Sequence, residues 1–228
     1  MRTWAFVQQK GGCGKSTVAT NLTVHAEERG ETVLLIDLDP QANALLWGDK
    51  RGTKKPMVMD ALPDKLPEVV QAAATLGVTL AVIDTPAKLD ATALAAIRVA
   101  DMIICPTMPD LFNLHSLADT VRLLEMAEKL HAAVAIINGV DGKNAAALIG
   151  EASAVLESFN LTIAPAAIRY RTPFATAIKR GKGVTETVPK GPAAKEICEL
   201  WTWLDQQAKR IGSPAAKDRA KAKERGTA

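Results

Sequence analysis

At 228 residues, 48% of them apolar and only 4% aromatic, the chain holds one compact domain with a largely aliphatic core, with or without a short tail. No run of eighteen apolar residues is present, which excludes a membrane-spanning helix. Three widely spaced cysteines, Cys13, Cys105 and Cys198, argue against a disulfide framework or a metal cluster and for a reducing compartment. A net charge of +3 is unremarkable as a total, so charge bears on function only through its distribution.

The chain enters a buried strand at once, over Trp4-Ala5-Phe6-Val7, and this predicts that no signal peptide precedes it. There follows Lys10-Gly11-Gly12-Cys13-Gly14-Lys15-Ser16-Thr17, and then a helix predicted over Val18 to Arg29. A glycine-dense turn between a strand and a helix gathers backbone N–H groups around one point, and the helix N-terminus adds its own free N–H groups and positive dipole end. That arrangement is a phosphate cradle. Lys15 is spaced to reach β- and γ-phosphate oxygens, and the Ser16 hydroxyl to hold Mg²⁺. The usual phosphate loop has glycine five residues before Gly14; here Gln9 stands there, and a second lysine, Lys10, follows it.

Thr32 to Ile36 reads as a buried parallel strand ending in Asp37-Leu38-Asp39-Pro40-Gln41. Carboxylates at the carboxyl end of a strand lie where open α/β sheets bind ligands. Residues 48 to 60 are polar and basic and read as an exposed loop. A helix from Pro67 to Leu76 leads into a strand over Val78 to Ile83, stopped by Asp84-Thr85-Pro86-Ala87. Ala91 to Val99 reads as helix and Met102 to Cys105 as a strand closed by Pro106. A longer helix over Leu114 to Leu130 carries an apolar stripe at positions 114, 117, 121, 124 and 127. A strand over Ala133 to Ile137 ends at Asn138-Gly139, and a helix over Asn144 to Phe159 follows. A short strand near Leu161 to Ile163 precedes an irregular basic stretch from Pro165 to Pro192, and Ala193 to Ile211 is the last helix. Strands alternating with helices predict an α/β fold: a doubly wound, mostly parallel sheet wrapped on both faces. The expected domain is 1–211, with 212–228 a basic tail that lacks a large apolar side chain and is expected to be disordered.

A nucleoside triphosphatase needs a phosphate cradle, Mg²⁺ held by a hydroxyl and a carboxylate, and a group that orients the attacking water. Asp84 is the expected carboxylate on Mg²⁺, directly or through water. Asp37 and Asp39 are both candidates for organising Mg²⁺ or water, and the physics of the sequence does not divide their roles. Between residues 165 and 195 seven basic residues face one acidic residue, Glu186. Arg169, Arg171, Lys179, Arg180 and Lys182 in that stretch predict a face for phosphate backbones. Only Tyr170 and Phe174 interleave as aromatics, so sequence-independent binding to duplex DNA is expected over stacking on single strands.

The three motifs together, Lys10 to Thr17, Asp37 to Gln41 and Asp84-Thr85-Pro86, resemble the ParA/MinD family of deviant-Walker ATPases over roughly residues 1 to 210. In overall length the chain is similar to the small plasmid-partition ParA proteins. The resemblance implies ATP and ADP as ligands, Mg²⁺ as cofactor, and a sandwich dimer formed on ATP. It implies Lys10 reaching phosphates in the partner's site, Lys15 as the loop lysine and Ser16 as a Mg²⁺ ligand within the cradle Gly11, Gly12, Cys13, Gly14 and Thr17. Asp39 would position the hydrolytic water, Asp37 would support the Mg²⁺ shell, and Asp84 matches the Walker B position. Asn138 resembles the adenine-contacting residue, and Pro165 to Thr176 the segment over the base. Two positions depart from the pattern: Cys13 replaces a small aliphatic residue, and Ala87 stands where many relatives have Pro or Gly. The implied partners are nucleoid DNA, bound without sequence preference, and a ParB-type centromere-binding protein that stimulates slow hydrolysis in a cytoplasmic DNA-partition system. Positioning a protein cargo, such as a chemoreceptor cluster or microcompartment, is the alternative, and polymers are a further outcome of the dimer. A MinD-like membrane role would need an amphipathic terminal helix, which the tail cannot make.

Overall fold

The computed structural model describes residues 1–53 and 55–213, so the expected basic tail falls almost wholly outside the described residues. Seven strands form one parallel sheet in the order β3-β2-β4-β1-β5-β6-β7. They are β1 (Arg2–Phe6), β2 (Val33–Asp37), β3 (Met57–Asp60), β4 (Leu80–Asp84), β5 (Met102–Thr107), β6 (Ala133–Ile137) and β7 (Thr162–Ile163). The α-helices are α1 (Lys15–Glu28), α2 (Asn43–Arg51), α3 (Leu66–Thr75), α4 (Ala91–Val99), α5 (Leu111–Met126), α6 (Ala145–Ser158), α7 (Thr172–Lys179), α8 (Val184–Thr187) and α9 (Pro192–Ile211). The doubly wound parallel architecture expected from the alternation of elements is the one observed.

Side-chain alternation along the strands divides the core in two. Trp4 and Phe6 of β1 point to one face, where they join Leu22 of α1, Trp47 of α2, Phe174 of α7 and Ile197, Leu200, Trp201 and Leu204 of α9. Ala5 and Val7 point to the other, with Ala73 of α3, Ile97 of α4, Leu117, Val121 and Leu124 of α5, and Leu156 of α6. The expected stripe on α5 and the apolar positions on α9 are therefore the surfaces these helices bury.

Three local expectations are corrected. The stretch read as an exposed loop contains the end of α2 and all of β3, which pairs with β2 at Leu34↔Met57 through Asp37↔Asp60. β3 is an exposed edge strand of four residues, so Met57, Val58 and Met59 make too short an apolar run to mark it, and the free edge of β2 imposes its conformation. β5 continues through Pro106 rather than stopping before it. Ile104 accepts from the Val7 N–H and Thr107 from the Asn138 N–H, so Pro106 turns its missing N–H toward β1 where that strand has ended. The basic stretch read as irregular holds α7 and α8, anchored by Phe174, Ala177 and Val184 in the core.

Candidate functional site: a phosphate loop at the carboxyl edge of the sheet

β1 is central, with β4 and β5 on either side, and its carboxyl end opens into the glycine-rich loop. Gly14, the residue before α1, has φ of +96°, in the left-handed region. A Cβ there would lie 2.1 Å from the Asn138 side-chain nitrogen, so only glycine lets the loop pass beneath Asn138. Asn138 Nδ2 donates to the Cys13 carbonyl at 2.7 Å and ties the end of β6 to the loop. Lys15 is buried, and its ammonium donates back to the carbonyls of Gln8 at 3.0 Å and Lys10 at 3.4 Å. Lys10 itself is exposed. The Cys13 thiol is fully buried, and desolvation raises its pKa, which suits a neutral packing role beneath the loop.

The register Asp37↔Asp84 brings two of the predicted carboxylates side by side at the ends of β2 and β4. Their environments differ. Asp37 accepts from the Asp39 N–H at 3.0 Å, the Ala44 N–H at 2.8 Å and the Leu45 N–H at 3.1 Å. It therefore holds the first turn of α2, a use of the carboxylate that its position in the sequence did not disclose. Asp84 is fully buried, and neither oxygen has a hydrogen-bond partner among the described residues. Burial pushes its pKa up to about 7, against the opposing pull of the Ser16 hydroxyl and the Lys15 ammonium. A buried carboxylate with two orphaned oxygens beside a hydroxyl and a lysine is the setting a divalent cation satisfies. No cluster of three His, Cys, Asp or Glu side chains suited to a metal occurs among the described residues. A cation here would draw its remaining ligands from phosphate and water, as Mg²⁺ does.

Two cavities share the loop. One, of about 460 Å³, is lined by the loop from Gly11 to Thr17, by Asp39, Gln41, Asn43 and Trp47, and by Ile178 of α7. Asp39 faces this cavity, and its carboxylate accepts from the Gln41 N–H at 2.9 Å. The other, of about 210 Å³, lies between Gly12, Gly14 and Thr17 on one side and Met108, Asn138 and the segment Ile168 to Ala175 on the other. The first is polar and basic at its floor and suits phosphates. The second, flanked by Tyr170, Phe174 and Met108, suits a flat heterocycle. Sequence reasoning did not single out Trp47, Asn43 or Ile178, because nothing local marks a residue that reaches a site through the packing of its helix.

The predicted DNA-contacting residues fall into two groups. Arg169 and Arg171 line the smaller cavity, and Arg171 is paired with Glu196 of α9 at 2.7 Å. Lys179, Arg180 and Lys182 are exposed at the far end of α7 and on the turn after it. The stretch is thus less basic in space than along the chain, because Glu196 lies outside it in sequence.

A family model described as the CobQ/CobB/MinD/ParA nucleotide binding domain matches residues 4–184. The chain is 38% identical over 122 residues to maintenance of carboxysome distribution protein A of Gloeobacter kilaueensis, a match spanning 53% of this chain and 55% of that protein. It is 27% identical to the chromosome-partitioning ATPase Soj of Thermus thermophilus, over 85% of this chain and 91% of that one. Its fold is similar to that in the MinC:MinD cell division protein complex of Aquifex aeolicus, with TM-score 0.76 and 17% identity, covering 90% of this chain and 96% of that chain.

Proposed function

We infer that this chain, which belongs to the CobQ/CobB/MinD/ParA nucleotide-binding family and is a P-loop ATPase, works as a positioning switch on DNA. ATP closes a homodimer, the closed dimer holds duplex DNA without regard to sequence, and hydrolysis stimulated by a partner protein releases it. One observation carries the reading: Ile178, in the wall of the larger cavity, directly precedes the exposed Lys179, Arg180 and the turn to Lys182. The nucleotide cavity and an exposed basic cluster thus meet at the end of α7.

Within this reading the loop N–H groups and Lys15 bind the phosphates. Ser16 and Asp84 would hold Mg²⁺, which when bound would supply positive charge beside the phosphates. Asp39 orients the attacking water, and Lys10, exposed at the loop, reaches the phosphates of the second protomer. Asn138 and the segment over the smaller cavity hold the base. A ParB-type protein bound to a DNA cargo is one stimulating partner. The 38% match to a protein of carboxysome distribution favours a second reading, in which the cargo is a protein body with its own adaptor.

The test is duplex-DNA binding at two salt concentrations with no nucleotide, with ADP and with a slowly hydrolysed ATP analogue, using the parent, Lys10→Ala and Arg180→Ala. Binding only with the triphosphate analogue, weakened by salt and lost in both variants, is the expected result. Binding indifferent to nucleotide, or absent throughout, would sink the DNA reading and leave a switch that acts on a protein surface.

A further inference from the structure

α2 spans the distance between the nucleotide cavity and the basic turn, and both of its ends are fastened. Its first turn hangs on the Asp37 carboxylate, through the Ala44 and Leu45 N–H groups. The residue before it, Ala42, has φ of +53°, a left-handed conformation that a side chain makes costly. Asn43 and Trp47 on α2 line the larger cavity. The same Trp47 donates its indole N–H to the Lys182 carbonyl at 3.2 Å. One turn further on, Arg51 donates to the Gly181 carbonyl at 3.0 Å and forks onto Glu186 at 2.7 and 2.9 Å. Backbone meets backbone at this end: a Cβ on Gly181 would lie 2.3 Å from the Arg51 nitrogen and 2.5 Å from its Cα.

We propose that α2 is the lever that couples the nucleotide to the basic turn, with Trp47 as the residue that reads the cavity and Arg51 as the positioning residue that sets Lys179, Arg180 and Lys182. The proposal rests on the DNA-switch reading for its output but not for its mechanism. At its cavity end the helix is held by one carboxylate and a strained residue, both close to Asp39, so a small displacement there has a ready hinge. At the far end two side chains and a close backbone contact fix the turn to the helix, so that displacement is passed on as rigid-body motion rather than absorbed. A connection by side chains alone would leave the turn free to lag behind.

Two variants keep the charge and break the coupling: Gly181→Ala, which wedges the two backbones apart, and Arg51→Lys, which loses the fork on Glu186 and the Gly181 carbonyl. The first measurement is hydrogen–deuterium exchange of the parent with no nucleotide, ADP and a slowly hydrolysed ATP analogue. Exchange at residues 179–183 is expected to differ between the ADP and analogue states, and identical exchange there overturns the lever. In both variants the nucleotide-dependent change is expected to stop at α2, with nucleotide affinity within about twofold of the parent. For DNA, the ratio of affinities with analogue and ADP is expected to fall toward one in the variants, against a parent ratio on the order of 5- to 150-fold. A drop in DNA affinity by the same factor in every nucleotide state would overturn the proposal and make the contact merely structural. If the parent binds no DNA but its turn still responds to nucleotide, the lever stands and the DNA reading falls.

Discussion

Asp84 concentrates the energetics of the site in one side chain. Its pKa lies near 3.8 in an unfolded chain and about 7 in the fold, so the folded protein favours the protonated acid. The cost of keeping it ionised is absent below pH 3.8, grows between pH 3.8 and 7, and is complete above 7. It is on the order of 4 kcal/mol. Asp84→Asn is therefore expected to raise the melting temperature of the nucleotide-free, Mg²⁺-free protein at pH 8, with the gain shrinking toward pH 4. A variant less stable than the parent at pH 8 would contradict this. The same substitution removes the proposed cation ligand, and ATP turnover is expected to drop by at least 100-fold, on the scale of losing one charge-stabilising group. Asp37, one strand away, meets the same desolvation, which also raises its pKa, but three backbone N–H groups oppose it.

Among the elements, the loop and α9 make separable predictions. Gly14→Ala places a methyl on Asn138 and strains a left-handed residue. Calorimetric titration with ADP is expected to show at least a tenfold loss of affinity. Adding Asn138→Ala should restore at most part of it, since removing the clash leaves the conformational cost of roughly 1–2 kcal/mol and also takes away the proposed contact with the base. Full recovery would show that the clash alone matters and that Asn138 does not hold the base. α9 closes the opposite end of the same core face: Trp201 lies against Trp4 with ring centroids 5.2 Å apart, and Arg2 stacks over both while paired to Asp205 and Glu31. Trp201→Ala is expected to cost about 3–5 kcal/mol in denaturant unfolding. Trp201 lines neither nucleotide cavity, so the folded fraction should bind ADP as the parent does.

For the whole molecule, the spatial division of the basic residues predicts how the proposed binding to DNA responds to salt. Each phosphate neutralised contributes a slope of about −0.9 in log affinity against log salt. Lys179→Ala is expected to make that slope shallower by about one unit per engaged protomer, whereas Arg171→Ala leaves it unchanged because Glu196 already neutralises that guanidinium. Equal effects of the two substitutions would restore the undivided basic face inferred from the linear charge count.

What could be read from the chain alone was whatever short stretches decide locally. A glycine loop between an apolar strand and a helix makes a phosphate cradle from its own backbone, and runs such as Val33–Asp37 or Ala133–Ile137 can be little other than buried parallel strands. The helices with a continuous apolar stripe, α5 and α9, were legible for the same reason. β3, α7 and α8 were not, because they are only four to eight residues long and a neighbouring edge or a few anchors in a distant core hold them. Tertiary structure alone decided that Asp37 serves α2, that Arg171 is spent on Glu196, and that Trp47 lies between the cavity and the turn at Lys182. Each of these is a contact across many residues of chain. Side-chain type fixes which bonds a residue can make, and only the packing of the elements brings one particular partner within reach.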